Sequence, residues 1–333
     1  MKKTTKTAVL MISPETGRLP KKMGPLARYI SGKSGGMGEV VATLCEGLTQ
    51  RGIECHLATI NIEKRFQQES NLDDDSWYRI RHHIHSDRIH LVKSSLFSSL
   101  ASAYEGNPLY NAAEFQKQIV NNVIINLRSQ YRGSLIIHSH DWMAGGAITA
   151  YARFRECPVL HTVHNIHTEL LPSELLLGVD WMRLSPYLFF ANGNGRSRID
   201  CQATAIKSAD LVVFVGKRFL KEIVDDHFSD HSIIPSSVRQ EIKVKYDHGS
   251  AIAIINSPSH SLYPEYCPHV AKRFGPDDNI LEAKRENLAE FQRRTGLNVD
   301  PRAILLYWPS RLDPAQKGIH LLEEIAHRFV IDH

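Results

Sequence analysis

The sequence predicts an α/β fold of Rossmann-like type, a parallel sheet with helices on both faces, and three observations carry that expectation. Short apolar runs of five or six residues alternate with longer stretches of helical periodicity. Turns rich in glycine or histidine follow several of these runs. The chain has 333 residues, 42% hydrophobic and 23% charged, without repeats or biased tracts, which suits one large domain or up to two.

Residues 7–12 read as a first buried strand. The glycine-rich turn 32–38 leads into a helix over 40–51, in which Val40, Val41, Leu44 and Leu48 recur at helical spacing until Gly52 stops it. Residues 55–60 form the next strand. Helix 112–128, strand 134–138, helix 143–153 and strand 159–163 continue the alternation, followed by helix 203–209, strand 211–215 and helix 218–226. The segments 69–90 and 170–197 are less regular and are expected as insertions at the sheet's edge or mouth, where loops commonly carry binding groups.

Pro258, Pro264, Pro268 and Pro276 then interrupt any periodicity, as where a chain leaves one domain for another. A charged helix over 279–295, a strand over 303–308, a loop over 311–317 and a helix over 319–330 follow. One β-α unit cannot cover both faces of a sheet, so these last elements read as the opening of a second Rossmann-like domain that has only begun. The expected division is 1–262, a linker and helix over 263–302, and 303–333.

The formal charge of +4 is spread among acids rather than gathered in a block, which argues against a nucleic-acid partner. Cys45, Cys55, Cys157, Cys201 and Cys267 are odd in number and too far apart for a CxxC site, as expected of reduced cysteines in a cytoplasmic protein. The apolar run near the N-terminus is too short for a signal peptide, and no stretch approaches the roughly 20 residues that span a bilayer.

Four segments can carry chemistry. In 31–40, glycines at a strand-to-helix turn let backbone N–H groups approach a diphosphate, and Lys33 adds a positive charge. A plain tight turn with a solvated lysine fits equally, and Ala27 stands where a Walker A loop needs glycine. In 138–142, His138 and His140 alternate to one side of a strand end, with Asp141 and Trp142 beyond them. Asp141 either accepts bonds from sugar hydroxyls or caps the next helix, and Trp142 either stacks on a ligand or belongs to the core. In 161–167, His161, His164 and His167 lack an acidic or cysteine partner at metal-ligand spacing, so hydrogen bonding by His and Asn to a sugar competes with a structural role. In 309–318, Arg311 and Lys317 either neutralise a leaving diphosphate or are surface charges.

Taken together and in order, these segments resemble the bacterial glycogen and starch synthases, glycosyltransferases of the GT-B class. That family carries Lys-Thr-Gly-Gly-Leu, His-Asp-Trp, Thr-x-His-Asn, an Asn-Gly-Val-Asp-like turn and Arg-x-x-x-Gln-Lys-Gly. This chain has Lys33-Ser34-Gly35-Gly36-Met37, His140-Asp141-Trp142, Thr162-Val163-His164-Asn165, Asn256-Ser257-Pro258, and Arg311 to Gly318. It departs from the pattern in Glu39 where Asp is usual, in the Asn256 turn, in about ten extra residues between Pro14 and Lys33, and in a final loop one residue longer.

The resemblance implies a retaining transfer of glucose from ADP-glucose to the non-reducing end of an α-1,4-glucan, without metal or cofactor. It implies that Lys33, Gly35 and Gly36 bind the donor phosphates. It places His164 beside the transferred glucose, Asp141, Asn165 and Asn256 around the glucose pocket, and Arg311 and Lys317 on the distal diphosphate. Most adenine contacts and an acidic catalytic residue are implied to lie in a second domain beyond His333, so the chain alone is expected to be inactive or nearly so. Two other readings stand beside this one: a non-catalytic glucan-binding module, and a nucleotide-binding regulator on the same fold.

Overall fold

The computed structural model describes residues 7–131, 134–191, 197–227, 233–310 and 317–332. The chain divides into two compact units, Met1–Pro258 and Ser259–His333.

The first unit is built on β1 (Ala8–Ile12), β2 (Glu54–Ile60), β3 (Ile89–Val92), β4 (Leu135–His140) and β5 (Val159–Val163). A small second sheet of β6 (Leu170–Pro172), β7 (Phe190–Ala191) and β8 (Arg198–Asp200) intervenes before β9 (Leu211–Phe214) and β10 (Ala251–Ala253) complete the first. Its helices are α1 (Gly36–Gln50), α2 (Glu63–Glu69), α3 (Asp74–His83), α4 (Pro108–Gln118), α5 (Ile125–Gln130), α6 (Ala147–Phe154), α7 (Trp181–Leu184), α8 (Cys201–Ser208), α9 (Lys217–Val224) and α10 (Ser236–Asp247).

The main sheet runs β3-β2-β1-β4-β5-β9-β10 with every neighbouring pair parallel. Parallel strands are covered on both faces and read as unbroken apolar runs, and β1, Ala-Val-Leu-Met-Ile, is buried at all five positions. Chain order reverses between β1 and β4. Connections therefore leave the carboxyl ends of these two strands in opposite directions, which opens a crevice between them. Phe66, Phe97, Phe115 and Phe214 are fully buried in the core that surrounds the sheet.

Several sequence expectations need correction. The segment 69–90 is not an irregular insertion: it contains α3, whose N-cap Asp73 accepts the Ser76 N–H at 2.7 Å, and the start of β3. The segment 170–197 contributes strands to the antiparallel sheet β6-β8-β7. The helix expected over 143–153 is broken, because Gly146 takes φ +54 and separates a 3-10 turn, Trp142–Ala144, from α6. Helix 112–128 is α4 and α5 joined by a π-helical turn, Ile119–Ile124. Strand β4 continues to His140, two residues beyond its expected end, and α1 begins four residues earlier than its apolar pattern suggests.

The residues that separate Pro14 from Lys33 fold as two 3-10 turns, Lys21–Met23 and Pro25–Arg28. Leu19, Met23, Leu26, Ala27 and Ile30 are buried in the core, so this longer segment is packed structure.

In the second unit, α11 (Ile280–Thr295) is capped by Asn279, which accepts the Glu282 N–H at 3.3 Å, and it ends on Gly296 at φ +74. A helix also runs over Ile319–Asp332. The strand expected over 303–308 does not form, and Ile304 is 89% exposed. A strand needs a neighbour to accept its backbone bonds, and the described residues of this unit contain none. Among the described residues no helix is long and apolar enough to cross a membrane. All five cysteines are free.

Candidate functional site

The site is assembled from the carboxyl end of β1 outward. Beyond Ile12 the chain stays buried through Ser13, Glu15 and Thr16. Backbone bonds join this extension to the glycine turn, with Gly32 N–H donating to Thr16 O at 2.9 Å and Gly17 N–H to Gly38 O at 2.7 Å. The Glu15 carboxylate completes the join by accepting the N–H groups of Ser34 and, at 3.1 Å, Gly38. A Cβ on Gly38 would stand 2.8 Å from the Lys33 Cβ and 3.1 Å from the Thr16 carbonyl carbon, so only glycine fits this close approach. A Cβ on Gly36 would meet nothing within 4 Å.

The result is an open helix N-terminus. Gly35 and Gly36 are exposed, and no side chain at the Gly35 N-cap fills the space over the first turn. Partial positive charge at such an end attracts anions. Lys33 stands exposed beside it, its Nζ 3.3 Å from Glu39 Oε2. Ser34 Oγ lies 2.9 Å from Ser102 Oγ, which ties the turn to the loop ahead of α4.

The opposite wall comes from β4 and β5. Alternation along β4 places the rings of His138 and His140 on one side, stacked with centroids 4.3 Å apart. Cross-strand bonds pair several of the polar groups these strands bury: His138 Nε2 lies 2.8 Å from Thr162 Oγ1, and Ser139 Oγ 2.8 Å from His161 Nδ1. His140 Nδ1 is 3.0 Å from His164 Nε2. Burial drives all four imidazoles toward the neutral form, His164 down to about 4, His138 and His161 down to about 3, and His140 well below its usual value.

Asp141 is the hinge of this wall. It sits in the left-handed region at φ +54, and its Oδ1 accepts the N–H groups of His164 at 2.7 Å and Asn165 at 3.1 Å. It therefore fixes the loop after β5; no cap bond joins its side chain to the turn that follows it, contrary to the alternative the sequence left open. Burial pushes its carboxyl up to about 7, against the pull of those two N–H groups and with help from the Glu15 charge. Trp142 is 6% exposed and meets His167 edge-on at 6.0 Å, which places it in the wall rather than on an open stacking face.

Asn165 turns the loop by accepting the His167 N–H on its side-chain oxygen at 2.9 Å, and its carbonyl accepts from Gln202 Nε2 at 3.2 Å. The Asp200 carboxylate caps α8 through the Ala203 N–H at 2.9 Å and also takes the hydroxyls of Thr168 and Ser237. Gly145 lets α8 approach, since a Cβ there would lie 2.4 Å from the Cys201 carbonyl oxygen.

The structure thus brings together Asp141, His164 and Asn165 on one side of the crevice and Lys33, Gly35 and Gly36 on the turn beside it. Asn256 is exposed in the segment after β10, at the sheet's edge. Lys317 is exposed in the second unit, and Arg311 lies outside the described residues. Sequence reading missed Glu15 and the pairing role of His140. An acidic residue directly after the first buried strand was the available signal for Glu15. Among the described residues no group of three or more His, Cys, Asp or Glu side chains is placed to hold a metal ion.

Residues 9–233 match the family model described as the starch synthase catalytic domain. The chain is 26% identical over 200 residues to a glycogen synthase of Exiguobacterium sibiricum, covering 57% of this chain and 39% of that protein. It is 28% identical over 193 residues to a glycogen synthase of Erwinia tasmaniensis, covering 57% and 38%. The chain thus spans about two-fifths of the length of these curated relatives. The catalytic domain of starch synthase IV from Arabidopsis thaliana, solved bound to ADP and acarbose, shares the fold with a TM-score of 0.67. It covers 98% of this chain and 66% of that one at 17% identity.

Proposed function

Since the chain belongs to the family of starch synthase catalytic domains, we propose that its crevice serves glucosyl transfer from ADP-glucose to the non-reducing end of an α-1,4-glucan. The observation that carries this reading is the convergence, where strand order reverses, of an open helix N-terminus with the loop His164–Asn165 that Asp141 holds. One wall suits a diphosphate and the other a sugar.

The donor diphosphate lies against the first turn of α1, where exposed Gly35 and Gly36 allow close backbone approach. Lys33 exchanges its bond to Glu39 for the phosphate. Stabilising the departing diphosphate with preorganised charge is the main catalytic contribution of this side. Glucose hydroxyls face His164, Asn165 and Asp141, and Asn256 belongs to the same pocket. As the bond to the diphosphate breaks, the anomeric carbon gains positive charge. An imidazolium beside it would oppose that change, and burial keeps His164 neutral at pH 7. The acceptor hydroxyl attacks from the face the leaving phosphate vacates and gives its proton to the departing phosphate oxygen as the glycosidic bond forms, which retains configuration without a protein nucleophile. No metal or cofactor takes part.

Titration calorimetry with ADP-glucose and maltoheptaose tests this reading. Both should bind, Lys33→Ala should weaken the donor selectively, and Asp141→Ala should weaken the glucan. A chain that binds neither ligand does not support the proposed function.

A further inference from the structure

Glu15 is a buried carboxylate that the proposed reaction does not use. It is 2% exposed, and no cation pairs with it among the described residues. A carboxylate in such a place is costly unless its oxygens are hydrogen-bonded. Here the two oxygens are divided between two backbone donors far along the chain: Oε2 takes the Ser34 N–H and Oε1 takes the Gly38 N–H. These donors bracket Gly35, Gly36 and Met37.

Gly38 is the third residue of α1, the position whose N–H the N-cap side chain commonly satisfies. The N-cap of α1 is Gly35, which has no side chain to offer. Glu15 supplies the missing acceptor from the end of β1, leaving the space directly over Gly36 empty. A Ser or Asp at position 35 would cap the helix from its own side chain and fill part of the opening. The same carboxylate bears electrostatically on Asp141, at the sugar wall of the crevice.

We propose that Glu15 is a positioning residue, a remote N-cap of α1 that holds the Ser34–Gly38 turn in the form presenting Gly35 and Gly36 to the donor phosphates. The part concerning phosphates rests on the proposed function. The capping bonds do not.

The test uses the 333-residue chain with Glu15→Ala, Glu15→Gln and Glu15→Asp, each checked for folding by circular dichroism. In Glu15→Ala, amide exchange at Ser34 and Gly38 should accelerate about tenfold, as expected for loss of a cap, while Val41 and Cys45 within α1 keep their rates. In Glu15→Gln, which keeps one acceptor oxygen, only one of the two amides should exchange faster. ADP-glucose should bind about tenfold more weakly to Glu15→Ala, with Glu15→Asp between that variant and the parent.

Unchanged exchange at Ser34 and Gly38 overturns the proposal. So does ADP-glucose affinity that survives in Glu15→Ala despite faster exchange. If the parent chain binds no ADP-glucose, the donor reading falls, and exchange alone decides whether Glu15 caps α1. Should Glu15→Ala fail to fold, exchange in Glu15→Gln decides: it keeps one acceptor oxygen, so one of the two amides should be exposed.

Discussion

Nδ1 of His140 and Nε2 of His164 lie 3.0 Å apart, with the two rings stacked at 5.3 Å between centroids. One nitrogen must donate and the other accept, so the pair is a bond only while at least one ring is neutral. The last residue of β4 thereby fixes the orientation of the imidazole at the edge of the crevice.

Acid should unfold this protein early. His138, His140, His161 and His164, with His90 down to about 4 and His56 lowered as well, all have folded-state values depressed mainly by burial. Unfolded histidines take up protons near pH 6.5. The stability these groups contribute is therefore complete above 6.5 and is lost as pH falls toward 3 to 4. Asp141 has the opposite sign: raised to about 7, its contribution is complete below pH 3.8 and is lost as pH rises through 7. Between pH 6.5 and 4 six histidines oppose Asp141 and Glu241, whose carboxyl burial also raises, and the urea midpoint should drop steeply between pH 7 and 5. A flat profile there would contradict the burial of the imidazoles.

Replacing Asp141 separates its bonds from its charge. Asp141→Ala leaves the His164 and Asn165 N–H groups without their acceptor and should cost about 2 kcal/mol. Asp141→Asn keeps an acceptor oxygen, tolerates the left-handed backbone and removes a buried charge. At pH 8 urea melts should rank Asn at or above the parent and Ala below both. Equal stability of Ala and Asn would mean the two bonds contribute nothing.

Two alanine substitutions in one turn should diverge. Gly38→Ala drives a Cβ against the Thr16 and Gly17 backbone and should destabilise by about 1 to 3 kcal/mol. Gly36→Ala meets open space at a helical position and should leave stability unchanged or raise it by up to about 1 kcal/mol, while weakening ADP-glucose binding. Thermal melts of the pair check the first claim and calorimetry the second.

Lys33→Ala should scarcely affect folding. Its side chain is 55% exposed and its pair with Glu39 is a surface ion pair, worth about 1 kcal/mol at most. A donor affinity at least about tenfold lower, with an unaltered urea midpoint, is the expected pattern.

The strands of the sheet were legible wherever burial on both faces demanded an uninterrupted apolar run, as in β1 and β9. Where β4 turns polar the reading stopped early, since Ser139 and His140 are buried only because β5 and the loop beyond it supply partners. The family motifs located Lys33, Asp141, His164 and Asn165. They could not reveal Glu15, whose role depends on two amides 19 and 23 residues away. The run 303–308 has the composition of a buried strand but no described neighbour in its unit to pair with, which composition alone does not disclose.

The closeness of Gly145 to α8 also bears on how this region can be exchanged between proteins. A Cβ at 145 would collide with the Cys201 carbonyl, and Gly146 donates its N–H to that same oxygen at 3.0 Å. The stretch 141–146 and the start of α8 are therefore a matched pair, like two halves of a mould. A chimera that imports a new crevice-facing segment at 141–146 with a side chain at 145 needs its own donor's residues 200–205 as well, because either half alone would displace Asp200 and the loop it anchors through Thr168.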